Sequence, residues 1–385
     1  MLVETKMGRK ILFANQSSGS LMVDIVNAFE ETGAFERVEL FAGQINIRPS
    51  VPNPKVRILK TIRYNNKNAI FRLATWIIAY LHLLLTCWLR GKDTELFLVT
   101  NPPFNTFVPL FTRKQYYILI YDIYPDTLIG QHVISPKSWL ARLWTRRNQK
   151  VFAKAKCVFT ISEDMKKVVA NYVSEDKIKV VYNWIHNEHL RPVAKTDNSF
   201  LREHDWQDKF IVLYSGNMGL THDIDAIVDV AKNFQDEERI LFLFIGEGGK
   251  KKLVQQKIQE YALQNCAVLP YQDKDVLPFS MGSADIGVVT TASDQTALSI
   301  PSKVNAYMSV GAVLLCLAEP QSELGRLVSD NGLGRCFQKA EIQAMSDFIR
   351  QVFQDSELAS QMKQRSRQMS YSFTPANAKQ FLVDI

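Results

Sequence analysis

Short apolar runs and amphipathic stretches alternate along almost the whole chain. Residues 11–15, 38–42, 56–59, 96–100 and 117–121 are runs of branched and aromatic residues, with helical patterns such as 21–31 between them. Continuous apolar runs, rather than alternating ones, predict parallel strands buried on both faces. The pattern continues through strands at 157–162 and 178–182, the first leading through Ser162 into a helix that reaches Val173. A polar connection at 192–205, containing Pro192 and Asp205, interrupts it. It restarts at 210–214 and continues through strands at 240–245, 267–269, 285–289 and 313–318. Two such series predict two doubly wound α/β domains that meet near residues 195 and 196. In sheets of this kind ligands sit beyond the carboxyl ends of the strands. The turns there are therefore the candidate walls of a site: 16–20 with Ser18 and Gly19, Asn101 with its two prolines, and 122–126.

Two turns in the second half suit an anion. In the first, the strand at 210–214 runs into Ser215, Gly216, Asn217 and Gly219, residues that tolerate tight or left-handed backbone. Asp223 stands where the N-cap of the next helix is expected, ahead of Ile224, Ile227 and Val228 at helical spacing. The second is a polar loop at 290–299 followed by Ile300, Pro301, Ser302 and Lys303 and a helix that Gly311 ends. Pro301 suits a first helical turn, whose free N–H groups face any anion placed there. Lys303 lies in that same turn, where the helix dipole disfavours a cation, so a compensating outside anion is expected. Together the two turns would hold a diphosphate. Gly246, Glu247 and Gly248 close a further strand in a tight turn.

Two stretches are unusual in polarity. Residues 73–89 carry no charge apart from whatever His82 holds, and Arg72 and Arg90 bracket them. That length is the lower edge of a membrane span, but the stretch lies between two strands of one sheet. A helix buried in its domain or dipping into an interface is expected. Residues 135–156 contain seven Lys and Arg and no acidic residue, interleaved with Trp139, Leu140, Leu143 and Trp144. A basic amphipathic helix with two tryptophans suits an anionic bilayer surface; a solvated face with tryptophans in the core is the plainer alternative.

Composition narrows the class. At 385 residues, 46% hydrophobic and 22% charged, the chain suits two ordinary globular domains. Its formal charge of +7 favours anionic partners, and no nucleic-acid module accompanies it. The first ten residues are polar and charged and predict no secretory signal. Five scattered cysteines without a close pair read as reduced thiols of a cytoplasmic protein. The pairs Asp223 with Asp225 and Asp273 with Asp275 have metal-binding spacing but are explained as a helix start and a turn, so no metal is assigned.

In this order, Asp122-Ile123-Tyr124-Pro125-Asp126, Tyr214-Ser215-Gly216-Asn217 with Gly219, Ile245-Gly246-Glu247-Gly248, and Pro301-Ser302-Lys303 with Tyr307, Met308 and Gly311 resemble the GT4 family of bacterial glycosyltransferases. The branch in question builds capsule, O-antigen and colanic-acid-type polysaccharides. The resemblance is close from Tyr182 to Gly334 and looser before that. It implies a GT-B fold: two facing Rossmann-like domains, an acceptor domain at 1–195, a nucleotide-sugar domain at 196–372, and a segment at 373–385 that crosses back as a helix. It further implies a retaining, metal-independent reaction without a cofactor. The donor would be a UDP- or GDP-sugar and the acceptor a lipid-linked glycan, at the inner face of the cytoplasmic membrane.

Carried over by residue, the donor side is Ser215, Gly216, Asn217, Gly246, Glu247, Tyr271, Pro301, Ser302, Lys303 and Asn305. The acceptor side is Ser18, Gly19, Asn101 and Asp126, with Asp122 and Lys303 in catalytic roles. The chain departs from the family pattern at several positions. Asn217 replaces an arginine, only His222 lies near a lysine position, Tyr121 replaces a histidine, and two family glutamates fall on Leu298 and Ala306. Asn305 and Asp294 are candidates to replace the lost carboxylates. These departures keep two other readings open: a sugar-nucleotide epimerase of the same fold, and a non-catalytic partner of another transferase.

Overall fold

The computed structural model describes residues 8–46, 49–65, 67–130, 132–186, 188–290 and 300–383. The chain divides into two compact units. One comprises Met1–Asn183 with Pro375–Ile385, the other Trp184–Thr374. The division falls before the expected 195/196 boundary because the linking segment is already tied into the second unit. Ile185 N donates to Phe373 O, Arg367 Nη1 to Leu190 O, and Lys195 Nζ to Asp285 Oδ2.

The first unit is built on a parallel sheet. Its strands are β1 Lys10–Ala14, β3 Arg37–Ala42, β5 Arg57–Lys60, β6 Thr94–Val99, β7 Tyr116–Ile120, β8 Val158–Thr160 and β9 Ile178–Val180, in the order β5-β3-β1-β6-β7-β8-β9. Two short strands, β2 Ser17–Ser18 and β4 Gln44–Ile45, pair beside it. Ser18 therefore lies in a strand, correcting the plain polar turn expected there. β1, β6 and β7 are almost wholly buried, as continuous apolar runs require. The chain leaves β1 toward β3 on one side and β6 on the other, so the topological switch point lies between β1 and β6.

The segment that returns to this unit is a 3-10 helix, Pro375–Phe381, rather than an α-helix. Phe381 packs against Phe97 and Phe159, with ring centroids 5.9 and 4.8 Å away. It is thus part of the core.

The second unit repeats the plan with β10 Phe210–Ser215, β11 Ile240–Ile245, β12 Cys266–Leu269, β13 Ile286–Thr290, β14 Val313–Leu317 and β15 Gly334–Phe337, all parallel, in the order β12-β11-β10-β13-β14-β15. Its switch point lies between β10 and β13. The helix Ser162 introduces is shorter than expected, Glu163–Val169.

Of the two expectations for the 73–89 stretch, burial within its domain is met on one face only. It forms the helix Ala69–Trp88, with Asn68 accepting from Phe71 N as its cap. Ala79, Leu83, Leu84 and Cys87 are buried against the unit, but Ile70, Phe71, Leu73, Ile77, Ile78, Leu81, Leu85 and Trp88 are exposed.

Candidate functional site

At the switch point of the second unit, Lys303 lies directly over Gly216. The helix Ser302–Ser309 follows β13, and Pro301 is its cap residue without any side-chain capping bond. Val304 N donates to Pro301 O, and Pro301 offers the first-turn N–H groups no capping side chain. Tyr307, one turn on, fixes where this helix sits. Its hydroxyl accepts from Ser215 N and donates to Leu213 O, both at 2.9 Å, pinning the helix to the end of β10. The close fit depends on Gly287, where a Cβ would stand 2.4 Å from the Tyr307 ring.

That anchoring delivers the Lys303 side chain to a place with no room for a side chain at residue 216. A Cβ on Gly216, whose φ is +135°, would lie 2.5 Å from Lys303 Cε. The lysine Nζ is buried and has no hydrogen-bond partner among the described residues. The face of Tyr214 lies beneath it, 3.9 Å from Nζ to the ring centroid, and favours its charge. Burial lowers its pKa from the ordinary lysine value to about 8. An ammonium desolvated without a carboxylate is costly to the fold, and a bound anion would relieve that cost.

The neighbouring turns are locked to one another. Gly216 N donates to Ile245 O, Met218 N to Glu247 O and Lys250 N to Met218 O. Gly246 and Gly248 have positive φ, and a Cβ on either would run into the backbone of the 216–218 turn. The Gly216 amide is therefore engaged, correcting the expectation that it points at an anion. What Gly216 supplies is space for the lysine.

The helix after this turn also differs from expectation. It runs only Asp225–Ala231, its cap residue is Ile224, and no side chain caps it. Asp223 instead pairs with Lys339 at 2.9 Å, and Asp225 with Lys250 at 2.7 Å. Two lysines thus draw both carboxylates outward, away from a capping role. Of the two expected anion-ready helix starts, only the one at Ser302 has the geometry.

The remaining donor-side candidates divide. Ser215 and Asn217 frame the turn, and Asn217 O accepts from Tyr214 Oη at 2.6 Å. Glu247 is exposed and pairs with Lys251 at 2.6 Å, and Tyr271 is exposed. Asn305 is on the buried side of the helix Ser302–Ser309. His222 Nδ1 sits 3.0 Å from Thr290 Oγ1. Burial, followed by the charges of Lys303 and Lys250, pushes its pKa down, so it stays neutral near pH 7. It does not replace a missing lysine. Asp294 and Leu298 lie outside the described residues. Tyr214, the ring under Lys303, belongs to the motif quoted from the sequence but was given no site role there.

In the first unit, Asp122 lies just past β7, with its amide donating to Thr100 Oγ1 at 3.2 Å. Burial raises its carboxyl pKa. Asp126 accepts from the Tyr172 hydroxyl, so its carboxylate already has a partner within the unit. Gly19 is the cap residue of the helix Ser20–Glu31, and Asn101 leads into the 3-10 helix Pro103–Leu110. Ser18 Oγ donates to Asn15 O. Beside it, Gln16 is buried and its Nε2 donates to Ile62 O and Thr75 O at 3.1 Å. Among the described residues, no group of three His, Cys, Asp or Glu side chains could hold a metal ion.

Residues 197–369 match the family model described as glycosyl transferases group 1. Two curated relatives are similar in sequence. The "Probable glycosyltransferase WbjE" of Pseudomonas aeruginosa is 25% identical over 251 residues, 64% of this chain and 60% of that protein. The "Putative colanic acid biosynthesis glycosyl transferase WcaI" of Escherichia coli is 31% identical over 163 residues, 42% of this chain and 40% of that protein. The chain thus spans 60% or less of their length. Among solved structures, Anabaena Alr3699/HepE in complex with UDP superposes with a TM-score of 0.72 at 14% identity, over 97% of this chain and 98% of that one. WaaG, a glycosyltransferase involved in lipopolysaccharide biosynthesis, gives 0.65 at 11% identity, over 97% and 100%. At these identities the likeness is one of fold, and the fold is GT-B.

Proposed function

We propose that this chain, which carries a glycosyl transferases group 1 domain over residues 197–369, moves a sugar from a nucleoside-diphosphate sugar to a lipid-linked glycan in surface polysaccharide biosynthesis. The observation that carries this reading is Lys303: a buried ammonium without a hydrogen-bond partner among the described residues, at a strand switch point, beside the open first turn of a helix. A diphosphate has the charge that this place lacks. UDP is the favoured carrier, because the Anabaena structure of similar fold was solved with it.

In this reaction the acceptor hydroxyl bonds to the anomeric carbon as the bond from that carbon to the diphosphate oxygen breaks. The hydroxyl proton passes to the departing diphosphate, and configuration is retained. Lys303 and the N–H groups of Ser302 and Lys303 meet the charge that develops on the leaving group, without a metal ion. Such fixed groups need no reorganisation during the reaction. Gly216 keeps the lysine path open, and Tyr214 and Tyr307 hold the lysine and its helix. Asp122, with its raised pKa, orients the acceptor hydroxyl in the first unit. The protein acts at the inner face of the cytoplasmic membrane, which the exposed cations of the helix Trp139–Lys154 favour.

Thermal unfolding with UDP- and GDP-sugars tests the donor site. Saturation at one hundred times Kd stabilises by about 2.7 kcal/mol, and Lys303→Met should abolish the response. No response to any nucleotide sugar in the wild type would end this reading. Incubation with a nucleotide sugar alone separates transfer from epimerisation, since only an epimerase interconverts free donors.

A further inference from the structure

The helix Ala69–Trp88 has two faces of opposite character. Its inner face packs into the first unit, and the carbonyl of Thr75 accepts from Gln16 at the carboxyl end of β1. Its outer face presents Ile70, Ile78, Leu81, Leu85, Trp88 and Leu89 to solvent, Ile70 79% and Leu89 77% exposed. Successive helical residues turn by about 100°, which brings these positions onto one side, so they form one stripe along a helix about 30 Å long. Exposed apolar patches of this extent mark interaction surfaces. The helix contains no acidic residue.

The stripe has a basic neighbour. Trp139, Leu140 and Leu143 are exposed on the helix Trp139–Lys154, which also contains no acidic residue and exposes Arg142, Arg146 and Arg147. An aromatic seam joins the two helices within the unit: Trp76 against Phe104, and Phe104 stacked on Trp144 at 5.8 Å. Trp144 in turn stacks on Tyr124, two residues from Asp122. The sequence left two alternatives for these tryptophans, and the structure divides them. Trp144 is in the seam and Trp139 is outside.

We infer that the stripe, together with Trp139, Leu140 and Leu143, seats in the boundary between headgroups and acyl chains of an anionic bilayer, with the helix Ala69–Trp88 lying along the surface. Crossing the bilayer would strip the inner face from its unit, so the helix lies flat. Apolar residues with tryptophans and a cationic neighbour match that boundary in both polarity and charge. A second copy of the chain fits less well, because a twofold contact through this face would bring the arginine clusters of both copies into one positive region. The inference deepens the proposed location. The inner face of the same helix touches Gln16, so a lipid-linked acceptor would reach the acceptor wall without leaving the membrane.

Flotation of the full chain with vesicles of phosphatidylcholine, alone or mixed with phosphatidylglycerol, tests this. The wild type should float with the anionic vesicles, and brominated phosphatidylglycerol should quench its tryptophan emission. Leu81→Glu with Leu85→Glu should cut the bound fraction at least tenfold, and Arg142→Gln with Arg146→Gln and Arg147→Gln several-fold. Failure of the wild type to float or be quenched overturns the inference, as does a glutamate variant that binds like the wild type. So does a wild-type dimer that the glutamate variant converts to monomer. The thermal response to nucleotide sugars should be identical in wild type and glutamate variant. If that response is missing in both, the transferase reading fails while the flotation result stands.

Discussion

The two ends of the second sheet both carry lysines, and they treat them in opposite ways. At the amino end, the buried carboxylate of Asp285 receives Lys195 and Lys363, each at 2.6 Å, along with the amide of Ile211 at 2.9 Å. At the carboxyl end, Lys303 Nζ is buried over Gly216 with the face of Tyr214 beneath its charge and no hydrogen-bond partner among the described residues. A cavity of about 590 Å³ opens at the amino end, lined in part by Lys195, Asp285, Lys363 and Arg367. The lysines at the amino end already have their anion, and the one at the strand switch point has none among the described residues. Charge left uncompensated inside a fold points to a ligand; charge already neutralised points to structure.

The largest expected effect would break this contrast outright. Lys303→Met should lower kcat/KM for transfer by about 100- to 1,000-fold, the usual cost of losing one preorganised partner of a leaving group. The fold should survive, because a buried charge is being removed. Lys363→Met, at the paired end, should change kcat/KM by no more than about threefold. Equal losses in the two variants would refute the distinction.

Next in size is Asp285→Asn. It keeps the shape but leaves two lysines without their shared carboxylate, and breaking a buried pair in this way costs about 3 kcal/mol. Both lysine side chains are about a third exposed, which lowers the expectation to about 2 kcal/mol. Chemical denaturation should show that loss, while donor affinity in the remaining folded protein stays within about twofold.

Gly216→Ala joins both arguments at one residue. At φ +135° any side chain is strained, and the new Cβ would contact the end of Lys303. A stability loss of about 1 kcal/mol is expected, with weaker donor binding as the lysine is displaced. Calorimetric titration with UDP checks the second effect; unchanged affinity would mean that the lysine has another path.

Much of this site was legible from residue types, because turns and strand runs are local. The β10 turn and Lys303 as the odd cation in a first helical turn both follow from short-range chemistry. What escaped depends on long-range pairing. Asp223 stands where an N-cap belongs, yet Lys339, more than a hundred residues later, draws it away. Gly216 N looks free in the turn, but register with β11 hands it to Ile245. Asp126 looks like a site carboxylate until Tyr172 folds onto it. The apolar stretch at 73–89 misled in another way. Its hydrophobicity is real, but sequence cannot say which face of a helix finds a core.

The smallest expected effect sharpens the contrast through pH. Burial holds the Lys303 pKa near 8, below its unfolded value near 10.5. Between those values the unfolded chain keeps a proton that the folded chain has lost, so apo stability should rise with pH through this window. The gain is at most about 1.4 kcal/mol per pH unit. Below pH 8 both states hold the proton, and the slope from this group vanishes. Donor affinity should move the other way, because the lysine that loses its charge above pH 8 no longer meets a diphosphate. A several-fold weakening of UDP binding from pH 7.5 to 8.5 is expected in the wild type and should be absent in Lys303→Met. A wild-type slope that persists in the variant would move the titration to another group, and the charge at the switch point would no longer explain donor binding.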